Sequence, residues 1–213
     1  MAAYGRALEC AESLGLESEQ LVLEEATGNA ALASGDSLRA TSHFDRALAL
    51  AHDPRERARI QCQAASSLVT NGDQRGLDYV HEALLVFDPE TDPLETANAL
   101  AIEGRFYHLA GQHHEAIALL ERAVALASPA VEKEITPFGV ASLSTMFGFL
   151  AGAHQHLGRF ADGNVWAWRA VEFGKEHEVL LAQALGYEFL GENTINAGDW
   201  QKALEFAFVS EIL

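Results

Sequence analysis

The chain has 213 residues, 49% of them hydrophobic, and sets 14 Lys and Arg against 31 Asp and Glu for a formal charge of −17. That excess of carboxylates argues against nucleic acid or an anionic membrane surface as the main partner, because both demand positive charge. Two cysteines are too few for a disulfide framework and read as reduced core thiols; no basic segment followed by an apolar run opens the chain, so no signal peptide is expected and a cytoplasmic location is.

Small residues recur in register around five glycines along the chain. Residues 1–16, with Tyr4, Ala7 and Leu8, match the end of a second helix and read as a leading partial repeat. In residues 17–54, Gly28 stands seven before Gly35-Asp36, and Ala40, Phe44 and Ala47-Leu48 follow. Residues 55–89 carry Ala65 before Gly72, but Leu77 and Leu84 occupy positions where small residues are expected. A shift of one residue onto Gly76 and Ala83 repairs the pattern and predicts a shortened turn after Asn71.

The unit at 94–129 has a first helix over about Leu94 to Ala110 carrying Leu100, Gly104 and Tyr107. Its turn is Gly111-Gln112-His113, and Ala116, Leu120, Ala123 and Val124 mark its second helix. Residues 137–175 place Ala151 before Gly158, then Gly163 and Ala170. Residues 178–213 carry Tyr187, Leu190-Gly191, Gly198-Asp199-Trp200 and Ala203. A glycine after the first helix permits the left-handed backbone of a helix C-cap. Asp36, Asp73 and Asp199 are placed to cap the helices that follow. Prolines 54, 89, 93, 129 and 137 all fall between helix pairs or at helix starts, and none is expected inside a helix.

The glycines at 35, 72, 111, 158 and 198 are 37, 39, 47 and 40 apart. These spacings exceed the ~34 residues of a tetratricopeptide (TPR) unit, yet the internal pattern over residues 21–213 resembles TPR proteins. The resemblance implies an all-α, right-handed α-solenoid of about five TPR-like helix pairs plus the leading partial repeat. It further implies a protein-interaction module rather than an enzyme.

Catalytic signatures are absent: no Walker A, H-E-x-x-H, G-x-S-x-G or calcium-loop pattern occurs. No cofactor is expected. Gly148 and Gly152 form a G-x-x-x-G in a segment, 137–158, without formal charge. The polar Ser142, Ser144, Thr145, His154, Gln155 and His156 make it a buried soluble helix rather than a membrane span. His154 and His156 lie about 200° apart on a helix and cannot chelate one ion together. His108 flanks a turn with His113-His114, but no third ligand has fitting spacing, so these read as solvated turn histidines and no metal site is expected. Trp166 and Trp168 point to different sides of one helix, which suits packing between repeats.

In TPR-like solenoids the first helices line the concave face. By that resemblance Asn29, Ser66, Arg105, His108, Gln155, Glu188 and Glu192 project into a groove, with Leu32, Val69, Gly152 and Ile195 beside them. One turn earlier come Glu25, Cys62, Ala101 and Gly148. The lysine-and-asparagine clamp for C-terminal carboxylates is missing, since Glu25 stands where a lysine is needed. A protein or peptide with a basic portion is the partner this groove would suit. The last helix, with Leu204, Phe208 and Ile212 on one side and Phe206, Val209 and Leu213 on another, is apolar nearly all round and suggests self-association. The chain is expected to be a fragment of a longer protein. Its repeat spacing resembles the TPR regions of large bacterial ATPase-containing signalling proteins, either class III adenylate or guanylate cyclase fusions or LuxR-type regulators. Pro137-Phe138-Gly139-Val140-Ala141-Ser142-Leu143 resembles the cyclase-fused group. That resemblance implies a regulatory scaffold, or alternatively a sensor that binds a peptide or small molecule in the groove and controls an attached output domain.

Overall fold

The computed structural model describes residues 2–212. Among them lie eleven helices and no strand: α1 (Ala2–Leu14), α2 (Glu17–Ala33), α3 (Ser37–Leu50), α4 (Pro54–Thr70), α5 (Arg75–Leu84), α6 (Pro93–Leu109), α7 (His113–Lys133), α8 (Pro137–His156), α9 (Phe160–Glu176), α10 (Leu180–Asn196) and α11 (Trp200–Ile212). They divide into two compact units, Met1–Ile102 and Glu103–Leu213, with the division falling inside α6.

The anchoring glycines end first helices by one repeated device. Gly35 has φ 79°, and its N–H donates to Leu32 O at 3.0 Å while the Asp36 N–H reaches back to Ala31 O at 2.9 Å. This pair of bonds is a Schellman motif, which satisfies carbonyls that would otherwise lack partners. The same pair recurs at Gly72, Gly111, Gly158 and Gly198, all at positive φ. As expected, Asp36 accepts from the Arg39 N–H, Asp73 from the Arg75 N–H and Asp199 from the Lys202 N–H. Each helix start is thereby fixed within a residue or two of the glycine.

Small residues then let paired helices cross closely. A Cβ added at Gly163 on α9 would come 3.1 Å from Ala151 O on α8, and one at Gly104 on α6 would come 3.3 Å from Ala116 O on α7. In the first unit Phe44 is fully buried against Gly28, with Ala40, Ala47, Leu48 and Ile60 completing the core. A charge cluster joins α2 to α3: the buried Glu24 carboxylate lies 2.5 Å from buried His43 Nδ1 and accepts from half-exposed Arg46 Nε at 2.7 Å. In the second unit Ala151, Ala167, Val171 and Leu190 form the core. Trp166 stacks on Phe147 while Trp168 packs edge-on against Tyr187 and Phe206, so the two tryptophans serve separate clusters.

Two sequence expectations need correction, and a third is explained. Pro129 lies inside α7, which continues to Lys133. The proline is exposed, and the carbonyl it leaves without an N–H donor belongs to exposed Ala125, which water can reach. Cys10 is exposed rather than a core thiol, whereas Cys62 is buried. The turn after Asn71 keeps its glycine motif at Gly72, and the register beyond it runs one residue short, as expected. The chain after Asp73 opens with i→i+3 bonds, Gly76 N–H to Asp73 O and Leu77 N–H to Gln74 O. That tighter winding brings Gly76 rather than Leu77 to the crossing, where an added Cβ would meet Ala65 O at 3.3 Å.

Candidate functional site

Within the second unit, the C-terminal turns of α6, the start of α7, and the first helices α8 and α10 of the next two pairs share one face. Arg105 and His108 sit one turn apart on α6. The Arg105 guanidinium lies 5.6 Å from the centre of the Phe149 ring on α8, and His108 lies 6.0 Å from the same ring. Gly152 brings α10 into the same face. A Cβ there would stand 3.0 Å from the Phe189 ring of α10 and 3.4 Å from His108 Cε1. The missing side chain leaves room for both rings. Phe149 thus meets Arg105 and His108, and Phe189 takes the space that Gly152 leaves.

Three imidazoles gather at one end of this face. The His108 and His156 rings are stacked with centres 5.2 Å apart, His108 and His113 are 5.1 Å apart, and His113 and His156 are 4.8 Å apart. The Nδ1 atoms of His108 and His113 are buried without a hydrogen-bond partner. Burial, assisted by the neighbouring His156 and His113, lowers the His108 pKa to about 4, and burial with His156 and His114 lowers that of His113. Desolvation likewise lowers the Arg105 pKa from its ordinary high value. At the α10 end, burial first and the adjacent Glu188 second raise the Glu192 carboxyl, while nearby His156 acts the other way.

Among the expected groove residues, the structure places Arg105 and His108 together, half-buried, and sets exposed Glu188 and Glu192 on α10. Gln155 is otherwise engaged. It is buried, and its Nε2 donates to Phe189 O at 2.7 Å, tying α8 to α10. Its Cγ would lie 3.1 Å from a Cβ at Gly163, so the close crossing of α8 and α9 encloses it. Cys62 and Val69 are buried as well. In the first unit Asn29 is exposed on α2, and half-buried Ser66 donates to Cys62 O on α4. The polar contact between α2 and α4 runs instead through Glu25, which accepts from Arg59 Nη2 at 2.8 Å and Gln63 Nε2 at 3.0 Å. Burial acts to raise the Glu25 carboxyl, but those bonds hold it below its ordinary value.

Sequence reasoning named neither Phe149 nor Phe189, and it did not bring His156 to His108 and His113. Phe149 and Phe189 lie next to the glycines of the face and could have been found by asking what those glycines make room for. A separate cavity of about 340 Å³ lies among α7, α8 and α9, where Arg169 stacks over Phe147 beside Glu132, Glu176 and His177.

No family model and no curated protein matches the chain. Solved structures do. BtubC from P. vanneervenii superposes with a TM-score of 0.70 at 16% identity, over 99% of this chain and 87% of that one. A Podosopora anserina chain described as a kinesin light chain with nearly identical TPR-like repeats gives 0.61 at 18%, over 91% and 94%. MamA gives 0.52 at 15%, over 86% and 91%. At these identities the likeness establishes the fold alone: an all-helical, TPR-like repeat solenoid.

Proposed function

We propose that the chain is a non-catalytic, cytoplasmic protein-interaction module of a bacterial signalling protein, and that the α6–α8–α10 face of its second unit receives a peptide segment. The observation that carries this reading is the continuity of that face. Phe149 and Phe189 offer aromatic surface, Arg105 offers a partly desolvated cation, and Glu188 and Glu192 offer carboxylates for a basic side chain. Aromatic and arginine side chains in partly buried positions are the groups that dominate binding energy at interfaces. The TPR-like fold supports an interaction role, and the resemblance of residues 137–143 to cyclase-fused regulators supports a signalling setting.

A second reading is a sensor in which the face takes a peptide or small-molecule signal and controls an attached cyclase, ATPase or transcription-factor domain. The unpartnered imidazole nitrogens at its edge favour it. Separately, α11 exposes Leu204, Phe208 and Ile212, each at least 65% accessible, and we infer that two copies associate through it.

The test of the first reading is selection of binders from a random peptide library on the immobilised chain. Enriched peptides should compete with one another. They should lose roughly 1–3 kcal/mol of affinity on Arg105→Glu, with melting temperature little changed, and on Phe189→Ala, which also lowers the melting temperature because the ring packs against the core of the second unit. Equal affinity for both variants would place the binding surface elsewhere.

A further inference from the structure

We propose that the cavity among α7, α8 and α9 is a binding site for a short apolar peptide with both termini free, about three residues long, whose carboxylate meets Arg169 and whose ammonium lies at Glu132 and Glu176. The site is separate from the α6–α8–α10 face. It uses Leu143 and Phe147 of α8, whereas that face uses Phe149, and residues two apart point to opposite sides of a helix.

The irregularity of this repeat builds the cavity. Gly111 and Gly158 are 47 residues apart, against 37 to 40 for the other anchoring glycines. The extra length goes into α7 and α8, with 21 and 20 residues, the longest helices among the described residues. Past Pro129 the prolonged α7 supplies Val131 and Glu132 as one wall, and Ile135 follows it. Leu143 and Phe147 form the floor, and Phe173 of α9 meets Phe147 edge-on at 5.7 Å. The enclosed volume of about 340 Å³ lies at the small end of ligand pockets, which run roughly 300–1,000 Å³.

Charge is sorted along this cavity, and that sorting selects the occupant. Arg169, Phe173 and Glu176 follow one another on a single face of α9, while Ser128 and Glu132 lie one turn apart on α7. Both helices are second members of successive pairs and run the same way, so both stripes turn acidic toward their C-terminal ends. There the last carbonyls add partial negative charge, which favours an ammonium. Lys175, the nearby cation on α9, is turned away over the Tyr187 ring. At the opposite end the Arg169 guanidinium lies 5.1 Å from the centre of the Phe147 ring and 4.8 Å from that of Trp166. Among the described residues it forms no ion pair with Glu132 or Glu176. It is thus a cation held by rings and open to a carboxylate, which a guanidinium binds through two parallel hydrogen bonds. The helical rise from Arg169 to Glu176 is about 10.5 Å. An extended chain covers at most about 3.3–3.6 Å per residue, so three residues reach from end to end where a single amino acid falls short. Between the ends Val131, Leu143 and the two Phe rings suit apolar side chains.

The experiment is calorimetric titration of the tripeptide Ala-Leu-Ala into the full chain, beside its N-acetylated and C-amidated forms. The free peptide should bind with a Kd of about 0.1 mM, and each capped form at least about tenfold more weakly. Arg169→Met should weaken the free peptide to the level of its amide and remove the distinction between the two. Glu132→Gln with Glu176→Gln should do the same for the acetylated form. All three side chains are exposed, so the fold should stand, and Arg39→Met on α3 should bind as wild type does. Absence of heat from the free peptide at millimolar concentration overturns the proposal. So does a capped peptide that binds as tightly as the free one, or an Arg169→Met chain that binds as tightly as wild type. Should a variant lose its helical circular dichroism, the capped peptides on the wild type decide alone. These readouts concern free termini in the α7–α9 cavity, so their result is independent of the binding face proposed above.

Discussion

Gly186→Ala should destabilise the chain even though alanine is the better helix former. Gly186 is buried on α10 where that helix crosses α9. A Cβ there would stand 2.7 Å from Ala167 O, 3.0 Å from Val171 N and 2.6 Å from Val171 Cγ2. Two of these three atoms are backbone and cannot swing aside, so α9 and α10 must separate. Overpacking of this kind costs about 1–3 kcal/mol, and the helix-propensity gain from Gly to Ala offsets roughly 0.5–1 kcal/mol of it. The net loss is about 1–2 kcal/mol, which lowers the melting temperature by about 2–8 °C for a chain of this size. Thermal melts followed at 222 nm would measure it. Gly5→Ala on α1, where an added Cβ meets nothing within 4 Å, is the matched control and should melt at or above wild type. A Gly186→Ala chain as stable as wild type would refute the claim that backbone-to-backbone approach sets the helix crossings.

Other outcomes follow from the same geometry. Burial pushes the Cys62 thiol up to about 12, so at pH 8 a thiol reagent should label one cysteine per native chain, exposed Cys10, and a second only in denaturant. Rapid native labelling of Cys62 would contradict its enclosure. Glu24→Ala strips His43 and Arg46 of their buried carboxylate and should cost about 2–4 kcal/mol in a denaturant melt; a change under half a kcal/mol would mean the cluster is fully solvated in effect. Phe208→Glu on α11 should shift light scattering at micromolar concentration from dimer to monomer, and a wild type that is already monomeric would end the self-association reading.

The repeat was legible because its turn demands glycine. Gly35, Gly72, Gly111, Gly158 and Gly198 all take positive φ, a conformation that other residues rarely adopt, so their spacing survives in plain sequence. The α9–α10 turn shows the limit. There Glu178 takes φ 57° and the Val179 N–H closes onto Gly174 O, so no glycine marks the left-handed position. Pro129 misled because a proline at an exposed helical position near a C-terminus loses only one bond to water. Of the proposed face, register names Arg105, His108, Glu188 and Glu192, since it counts positions from the small packing residue. It could not foresee that Gln155 would turn inward to bond Phe189 O, because that choice depends on a carbonyl 34 residues away. Nor could spacing along one helix reveal that His156 meets His108 and His113, since the contact joins different helix pairs.

The most direct test of the proposed binding face is a hydrogen-exchange footprint of the full chain with and without one library-selected peptide. Slowed exchange confined to the 104–109, 148–156 and 185–192 segments is the predicted result. Protection centred on α3, α7 or α9, with those three segments unchanged, would contradict it.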